Sequence, residues 1–204
     1  MNVGHPYRDV IPGARGDILA ALVRLARPVT IRELGRLAGV SSGRASAVVD
    51  QLAQAGLVHR EAAGRAILVT LNSDHLAADG IRSLINLRAT AIARLVSDLR
   101  GWRGLAAAWL YGSTARGDGD AGSDVDILLV GLSDIEAEWW AEQVGRLSSN
   151  VERWTGNVAQ LSEHTLGSFR QLVTDGNPLI AALRSDGIEL TDGAARILGK
   201  LSAQ

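Results

Sequence analysis

The chain has 204 residues, of which 47% are hydrophobic and 21% charged, so it can bury the core of one large domain or two small ones. It contains no cysteine, which excludes disulfides, thiolate metal sites and a cysteine nucleophile. No segment has the pattern of a signal peptide, and no apolar run is long enough to cross a bilayer. We therefore expect a cytoplasmic protein with no membrane partner.

The net charge is only −1, but the N-terminal and C-terminal parts of the chain differ in charge. Residues 1–75 carry nine arginines against six acidic residues, whereas the other 129 residues carry twelve basic and sixteen acidic residues. A mildly basic N-terminal part joined to an acidic C-terminal part indicates two modules with different partners.

Three helices and a β-hairpin are predicted within residues 1–75. Apolar residues recur at helical spacing from Gly16 to Ala26. Thr30 can cap a short second helix, with Glu33 at the capping-box position, and a third helix is expected over about Ser42 to Ala55. The segments "GLVHR" and "RAILVTL" then predict the two strands of a hairpin.

The stretch "TIRELGRLAGVSSGRASAVVDQLAQAGLVHRE" closely resembles the winged helix-turn-helix of MarR-like bacterial regulators, over about residues 13–75. The resemblance implies double-stranded DNA as a partner, read in two half-sites by a homodimer. The residues that would meet the DNA lie at the start of the third helix and in the wing: Ser41, Ser42, Arg44, Ser46 and Arg65. Protein contacts are the alternative, because many winged helices mediate them and a net charge of +3 for residues 1–75 is modest for DNA binding.

A long helical segment is predicted next, over about Asp74 to Leu99, and it would act as a stiff connecting helix in residues 76–103. The elements expected after it are the strands "LAAAWLY" and "VDILLV", a helix near Ile135–Trp154, a strand near Val158–Leu161, helices near Thr165–Val173 and Pro178–Arg184, and a short strand "IEL". We therefore predict an α+β protein, in which a winged helix-turn-helix (1–75) and the connecting helix precede a domain with a small mixed sheet (104–204).

The stretch "YGSTARGDGDAGSDVDILLVG" places Asp124 and Asp126 at the mouth of a buried strand. Residues two apart on a strand point to one face, so the two carboxylates converge, and a divalent cation between them would offset their repulsion and desolvation. Gly112 and Ser113 close the preceding strand, where backbone N–H groups and the serine hydroxyl can cradle phosphate oxygens. This pattern predicts Mg²⁺, or Mn²⁺, bridging to a nucleoside triphosphate.

The order Gly-Ser, Ala-Arg-Gly and Ser-Asp-x-Asp between two strands resembles the polymerase-β-like nucleotidyltransferases over about residues 104–165. The string "GSTARGDGDAGSDVDILLV" is similar to their minimal members, among them antitoxins of HEPN toxin pairs. The resemblance implies that Asp124 and Asp126 are catalytic metal ligands. It further implies a nucleotide-binding set consisting of Gly112, Ser113, Arg116 and Ser123. The implied reaction transfers a nucleotidyl group, in the simplest case AMP from ATP, to an acceptor protein such as a toxin or to a small molecule.

The family also has a third acidic residue on a later strand, which acts as general base and ligand of a second metal. In "NVAQLSEHTL" the expected place holds Gln160, which cannot accept a proton. Glu163 is a candidate catalytic base, but regular alternation puts it on the opposite face from Gln160 unless a bulge intervenes. We expect a regular strand with Gln160 facing the two aspartates. The alternative function is therefore a DNA-binding regulator whose nucleotidyltransferase fold is catalytically impaired and only senses a nucleotide.

Overall fold

The computed structural model describes residues 1–202, so the last two residues of the expected 104–204 domain lie outside it. The chain divides into two compact units, one made of Pro6–Leu87 and the other of Met1–His5 together with Arg88–Gln204. Within residues 1–202, no helix has the length and apolar character needed to span a membrane.

The unit Pro6–Leu87 has the elements of a winged helix. Its helices are α1 (Ala14–Leu25), α2 (Ile31–Leu37), α3 (Ser42–Gln54) and α4 (Ala78–Ile85), and its strands are β1 (Val29–Thr30), β2 (Val58–Ala63) and β3 (Ala66–Leu71). The strands form an antiparallel sheet in the order β1-β3-β2. The three predicted helices and the hairpin are confirmed, whereas the two-residue strand β1 was not expected.

The start of α2 shows how local sequence produces this unit. The Thr30 hydroxyl accepts a hydrogen bond from the Glu33 backbone N–H at 3.2 Å, as an N-cap does. The Glu33 carboxylate pairs with Arg27 at 2.8 Å, so the expected capping box is present only in its Thr30 half. Ile18 of α1 and Leu52 of α3 are fully buried in the core of the same unit.

The predicted connecting helix is interrupted, because the segment forms two helices rather than one continuous helix. α4 ends at Ile85, Asn86 follows, and α5 begins at Leu87 and ends at Leu99. Ile81 and Ile85 pack into the core of the first unit, whereas Leu95 and Leu99 pack into a core of the second. Each apolar face is therefore buried in a different core, and asparagine, a weak helix former, lies at the break.

The second unit contains a four-stranded mixed sheet, as expected. Its strands are β4 (Leu105–Tyr111), β5 (Val125–Gly131), β6 (Ala159–Thr165) and β7 (Ile188–Glu189), in the order β6-β5-β4-β7. β5 runs parallel to β6 and antiparallel to β4, which is antiparallel to β7. Its other helices are α6 (Gly112–Arg116), α7 (Ala137–Thr155), α8 (Leu166–Thr174), α9 (Pro178–Asp186) and α10 (Ala194–Ser202), the last not foreseen from the sequence.

Helices cover both faces of this sheet, so β5 is buried on two sides. Ile127 and Leu129 contribute to a core that includes residues of α5 and α7. Leu128 and Val130 face the other way, toward a core that includes Phe169 of α8. Alternate residues of a strand share a face, so Asp126 lies on the same face as Leu128. It is near the start of β5.

Candidate active site

Asp124 and Asp126 lie at the start of β5, Asp124 just before the strand and exposed, Asp126 within it and half-buried. Burial, and next the charge of Asp124, raise the pKa of the Asp126 carboxyl, while Arg116 lowers it. A hard divalent cation accepts such carboxylate oxygens as ligands and would offset both causes of the raised pKa. No group of three or more histidine or acidic residues suited to a metal exists within residues 1–202. Asp124 and Asp126 are thus the carboxylates at the start of β5 that could hold such a cation.

Gly112 is the residue that leaves room for the Asp126 carboxylate. Its φ is +70°, a conformation that glycine adopts without strain. A Cβ at this position would overlap Oδ2 of Asp126. Two residues on, the Thr114 hydroxyl donates a hydrogen bond to the Asp124 carbonyl at 3.0 Å, which joins α6 to the entrance of β5.

The segment between α6 and β5, residues 117–124, is called the acidic loop below because it carries Asp118, Asp120 and Asp124. Ser123 closes it: the Asp120 backbone N–H donates to the Ser123 Oγ at 2.9 Å, and that hydroxyl lies 3.1 Å from Asp120 Oδ1. The Ser113 carbonyl accepts hydrogen bonds from the N–H groups of Gly117 and Asp118, at 2.9 and 3.2 Å. The loop is therefore held partly by its own polar groups and partly by the Ser113 carbonyl, next to the predicted phosphate cradle.

Arg116 is exposed and forms an ion pair with Asp118, with Nε and Oδ2 3.0 Å apart. Its charge also lowers the pKa of Asp126, so it contributes a positive field beside the aspartate pair. An exposed ion pair contributes little to stability, and a phosphate could replace Asp118 as the partner of this guanidinium at small cost.

β6 is regular, as expected, and this decides which of its residues share the face of Asp126. Gln160 is the register partner of Asp126, and the pairing continues without a shift to Gly131 and Thr165. Glu163 is the partner of Leu129, on the opposite face, where its carboxylate accepts a hydrogen bond from the Trp140 Nε1 at 2.7 Å. The candidate role of Glu163 as catalytic base is therefore wrong, because without a bulge the sheet separates it from Asp126.

Further polar residues share the face of Gln160. Ser162 and His164 follow it on β6, with 3.0 Å between the Ser162 Oγ and the His164 Nε2. Burial lowers the pKa of His164 and so favours the neutral imidazole. Tyr111, the register partner of Asp126 on β4, has its pKa raised by burial and then by the charge of Asp126.

Asn157 is a buried residue of this site that the sequence did not reveal. Its side-chain amide donates to the carbonyls of Ala121 and Ser123, at 3.2 and 2.9 Å. The neighbouring Val158 carbonyl accepts from the Val125 N–H at 2.9 Å, so the turn before β6 supports the acidic loop. A single asparagine after a helix is typical of an ordinary turn, and hydrogen bonds to carbonyls leave no sequence pattern.

The predicted DNA-contacting residues lie at the start of α3 and at the wing. Ser41 is the N-cap of α3, and its hydroxyl accepts from the Arg44 N–H at 3.3 Å. Ser42 and Arg44 are exposed in the first turn, Ser46 is half-buried, and Arg65 is exposed in the turn between β2 and β3. The Ser41 hydroxyl is therefore engaged in helix capping, whereas both arginine side chains are exposed.

Comparison with known families identifies both units. Residues 91–160 match the family model of the nucleotidyltransferase domain, and residues 11–66 match that of the MarR family. The chain therefore combines a MarR-family winged helix-turn-helix with a nucleotidyltransferase domain, which confirms the two resemblances. A search of curated proteins gave no significant match.

Two solved structures are similar to part of the chain. One is a crystal structure of a mutant of the toxin-antitoxin MntA-HpeT, with 16% identity over 55% of this chain and 84% of that chain and a TM-score of 0.38. The other is a crystal structure of the toxin-antitoxin with AMP-PNP, with 19% identity over 56% of this chain and 83% of that chain and a TM-score of 0.37.

Proposed function

We propose that the second unit transfers a nucleotidyl group from ATP, or another nucleoside triphosphate, to an acceptor, and that the winged helix binds double-stranded DNA as a homodimer. The observation that carries the enzymatic part is the Asp124–Asp126 pair. Its inner carboxylate is half-buried, has a raised pKa, and occupies space that only a glycine at position 112 leaves open. Carboxyl groups with pKa values shifted in this way cluster at functional sites.

In this proposal, Asp124 and Asp126 are the residues that would hold Mg²⁺ or Mn²⁺, and such an ion would supply positive charge for the phosphoryl oxygens. The backbone at Gly112 and the Ser113 hydroxyl hold the β- and γ-phosphates. Arg116 exchanges Asp118 for the triphosphate. Ser123 keeps the acidic loop closed around this site.

The reaction forms a bond between an acceptor oxygen and the α-phosphorus and breaks the bond from that phosphorus to the bridging oxygen, so that pyrophosphate leaves. Gln160 cannot take the acceptor's proton, which therefore passes to a base of the acceptor or to solvent. The motif's resemblance to minimal nucleotidyltransferases favours a hydroxyl of a partner protein, such as a toxin, over a small-molecule acceptor.

The second candidate function is a DNA-binding regulator that senses a nucleotide without turning it over. Gln160 favours it, because the residue in register with Asp126 carries no charge. Two carboxylates suffice for one cation with a triphosphate, but they are too few for a two-metal site.

The test is transfer of label from ATP labelled at the α-phosphate to acceptors in a cell extract with Mg²⁺. The wild-type protein should label an acceptor, and Asp124→Asn combined with Asp126→Asn should reduce labelling by at least about 100-fold. Glu163→Gln is the matched control, because it alters an acid on the opposite face of the sheet. Equal labelling by the double variant would refute the assignment. If calorimetry shows that ATP–Mg²⁺ binds but no pyrophosphate is released, the result favours the second candidate function, a regulator that senses a nucleotide.

A further inference from the structure

The chain passes between the two units at two places, after His5 and after Leu87. Within the second unit, residues next to both of these crossing points contact the acidic loop or α6, the short helix that precedes it. These contacts come from the segment Val3–Gly4 and from Arg88, none of which belongs to the nucleotidyltransferase motif.

Arg88 is the first residue of the second unit after the passage that follows Leu87. Its Nε and Nη2 donate to the Thr114 carbonyl at 3.3 and 3.0 Å, and its Nη2 also donates to the Ala115 carbonyl. Carbonyls in the last turn of a helix lack partners within the helix, and a cation is favourable there. The guanidinium also lies beside Gly117, the first residue of the acidic loop, where a Cβ would meet it at 3.5 Å.

The Val3–Gly4 segment holds the next part of the loop. Val3 is buried in the core of the second unit, and the Gly4 N–H donates to the Gly119 carbonyl at 3.0 Å. A Cβ at Gly4 would overlap the carbonyls of Gly117 and Gly119, so glycine allows this close approach. Arg88 and Gly4 thus act on adjacent parts of one short backbone stretch.

We propose that Arg88 and the Val3–Gly4 segment are positioning residues for the acidic loop. They hold the backbone from Thr114 to Gly119 so that Ser113, just before this stretch, and Asp124, at the end of the acidic loop, keep the separation that a metal-bound triphosphate needs. That these residues hold the loop is inferred from the contacts alone. The expected effect on ATP–Mg²⁺ binding rests on the proposed function. Hydrogen bonds from a charged donor to the carbonyls of buried residues are strong enough for this role.

Arg88→Met tests the proposal, because it keeps most of the aliphatic stem and removes every donor. Arg94→Met is the matched control, an exposed arginine of the same helix that lies over Trp154. Hydrogen–deuterium exchange of peptides covering residues 112–126 should accelerate about tenfold in Arg88→Met and stay unchanged in Arg94→Met. Calorimetry should show about tenfold weaker ATP–Mg²⁺ binding in Arg88→Met alone.

Two further variants guard against a folding defect. Arg88→Lys keeps the charge and should recover part of the wild-type exchange and affinity. Gly4→Ala should accelerate exchange in the same peptides, because its Cβ would overlap the carbonyls of Gly117 and Gly119 in the loop. All five tryptophans lie in the second unit, so their fluorescence reports whether that unit remains folded.

Unchanged exchange at residues 112–126, or an equal acceleration in every peptide of the second unit, overturns the proposal. Local acceleration with unaltered ATP–Mg²⁺ affinity overturns it too, because the loop would then be held without positioning the ligand. If the wild type binds no ATP–Mg²⁺, the proposed function fails, and the exchange data still decide whether these residues position the loop.

Discussion

At the scale of single residues, Gly112 and Asp126 depend on each other. The motif alone suggests that a glycine is needed so that a phosphate can approach the backbone. The structure adds a second reason, since the Asp126 carboxylate already occupies the space beside the Gly112 Cα. The glycine therefore preserves the position of a candidate metal ligand as well as access to the backbone.

Gly112→Ala should consequently destabilise the second unit and displace Asp126. A left-handed φ for alanine together with the overlap on Oδ2 should lower the free energy of unfolding by about 1–3 kcal/mol. Urea denaturation followed by tryptophan fluorescence measures this change. Gly145→Ala is the control: it lies inside α7 with open space around its Cα, so alanine should raise stability by about 0.5–1 kcal/mol. A Gly112→Ala protein as stable as the wild type would contradict the argument.

At the scale of elements, alternation and capping predicted much of the fold. Val125 to Val130 could be recognised as a buried strand. The family resemblance put Gln160 on the face of Asp126, and strict alternation then put Glu163 on the opposite face, as the register of β6 shows. The break at Asn86 could not be predicted, because apolar periodicity shows that a helix has a buried face but not which core receives it. Arg88 and Asn157 were missed for a related reason, since their hydrogen bonds end on backbone carbonyls that any residue supplies.

The regular register of β6 makes Gln160→Asp a direct test of the site. An aspartate in register with Asp126 would supply the third carboxylate, able to accept a proton and bind a second cation. We expect pyrophosphate release with Mg²⁺ or Mn²⁺ to increase about 100-fold, the usual contribution of a general base. Without the metal, the added carboxylate should lower stability through repulsion by Asp126.

The control for that experiment is Glu163→Gln, which keeps an acceptor for the Trp140 Nε1 on the opposite face of the sheet. It should leave pyrophosphate release unchanged. If Gln160→Asp changes neither turnover nor the metal dependence of stability, position 160 does not face the metal ligands and the register argument fails.

At the scale of the whole molecule, the two units differ in charge and in composition. The basic excess of residues 1–75 lies in the winged helix, and the acidic excess lies with the candidate nucleotide site. A net charge of +3 is modest for DNA binding, so affinity must depend on a few well-placed arginines rather than on a broad basic surface. Arg44 and Arg65 are exposed at the two elements that winged helices present to DNA.

If the winged helix binds DNA, Arg44→Gln and Arg65→Gln should each weaken binding to a pool of random-sequence duplexes by about tenfold. Each removes one charge that neutralises a phosphate, so the slope of log affinity against log salt should fall by about 1 per variant. Arg82→Gln is the matched control, because Arg82 pairs with Asp79 and lies on α4, which is not one of the elements predicted to contact DNA. Fluorescence anisotropy measures affinity and slope, and circular dichroism checks that this tryptophan-free unit is folded. Equal losses in all three variants would point to non-specific attraction, and no loss in any would favour a protein partner for the winged helix.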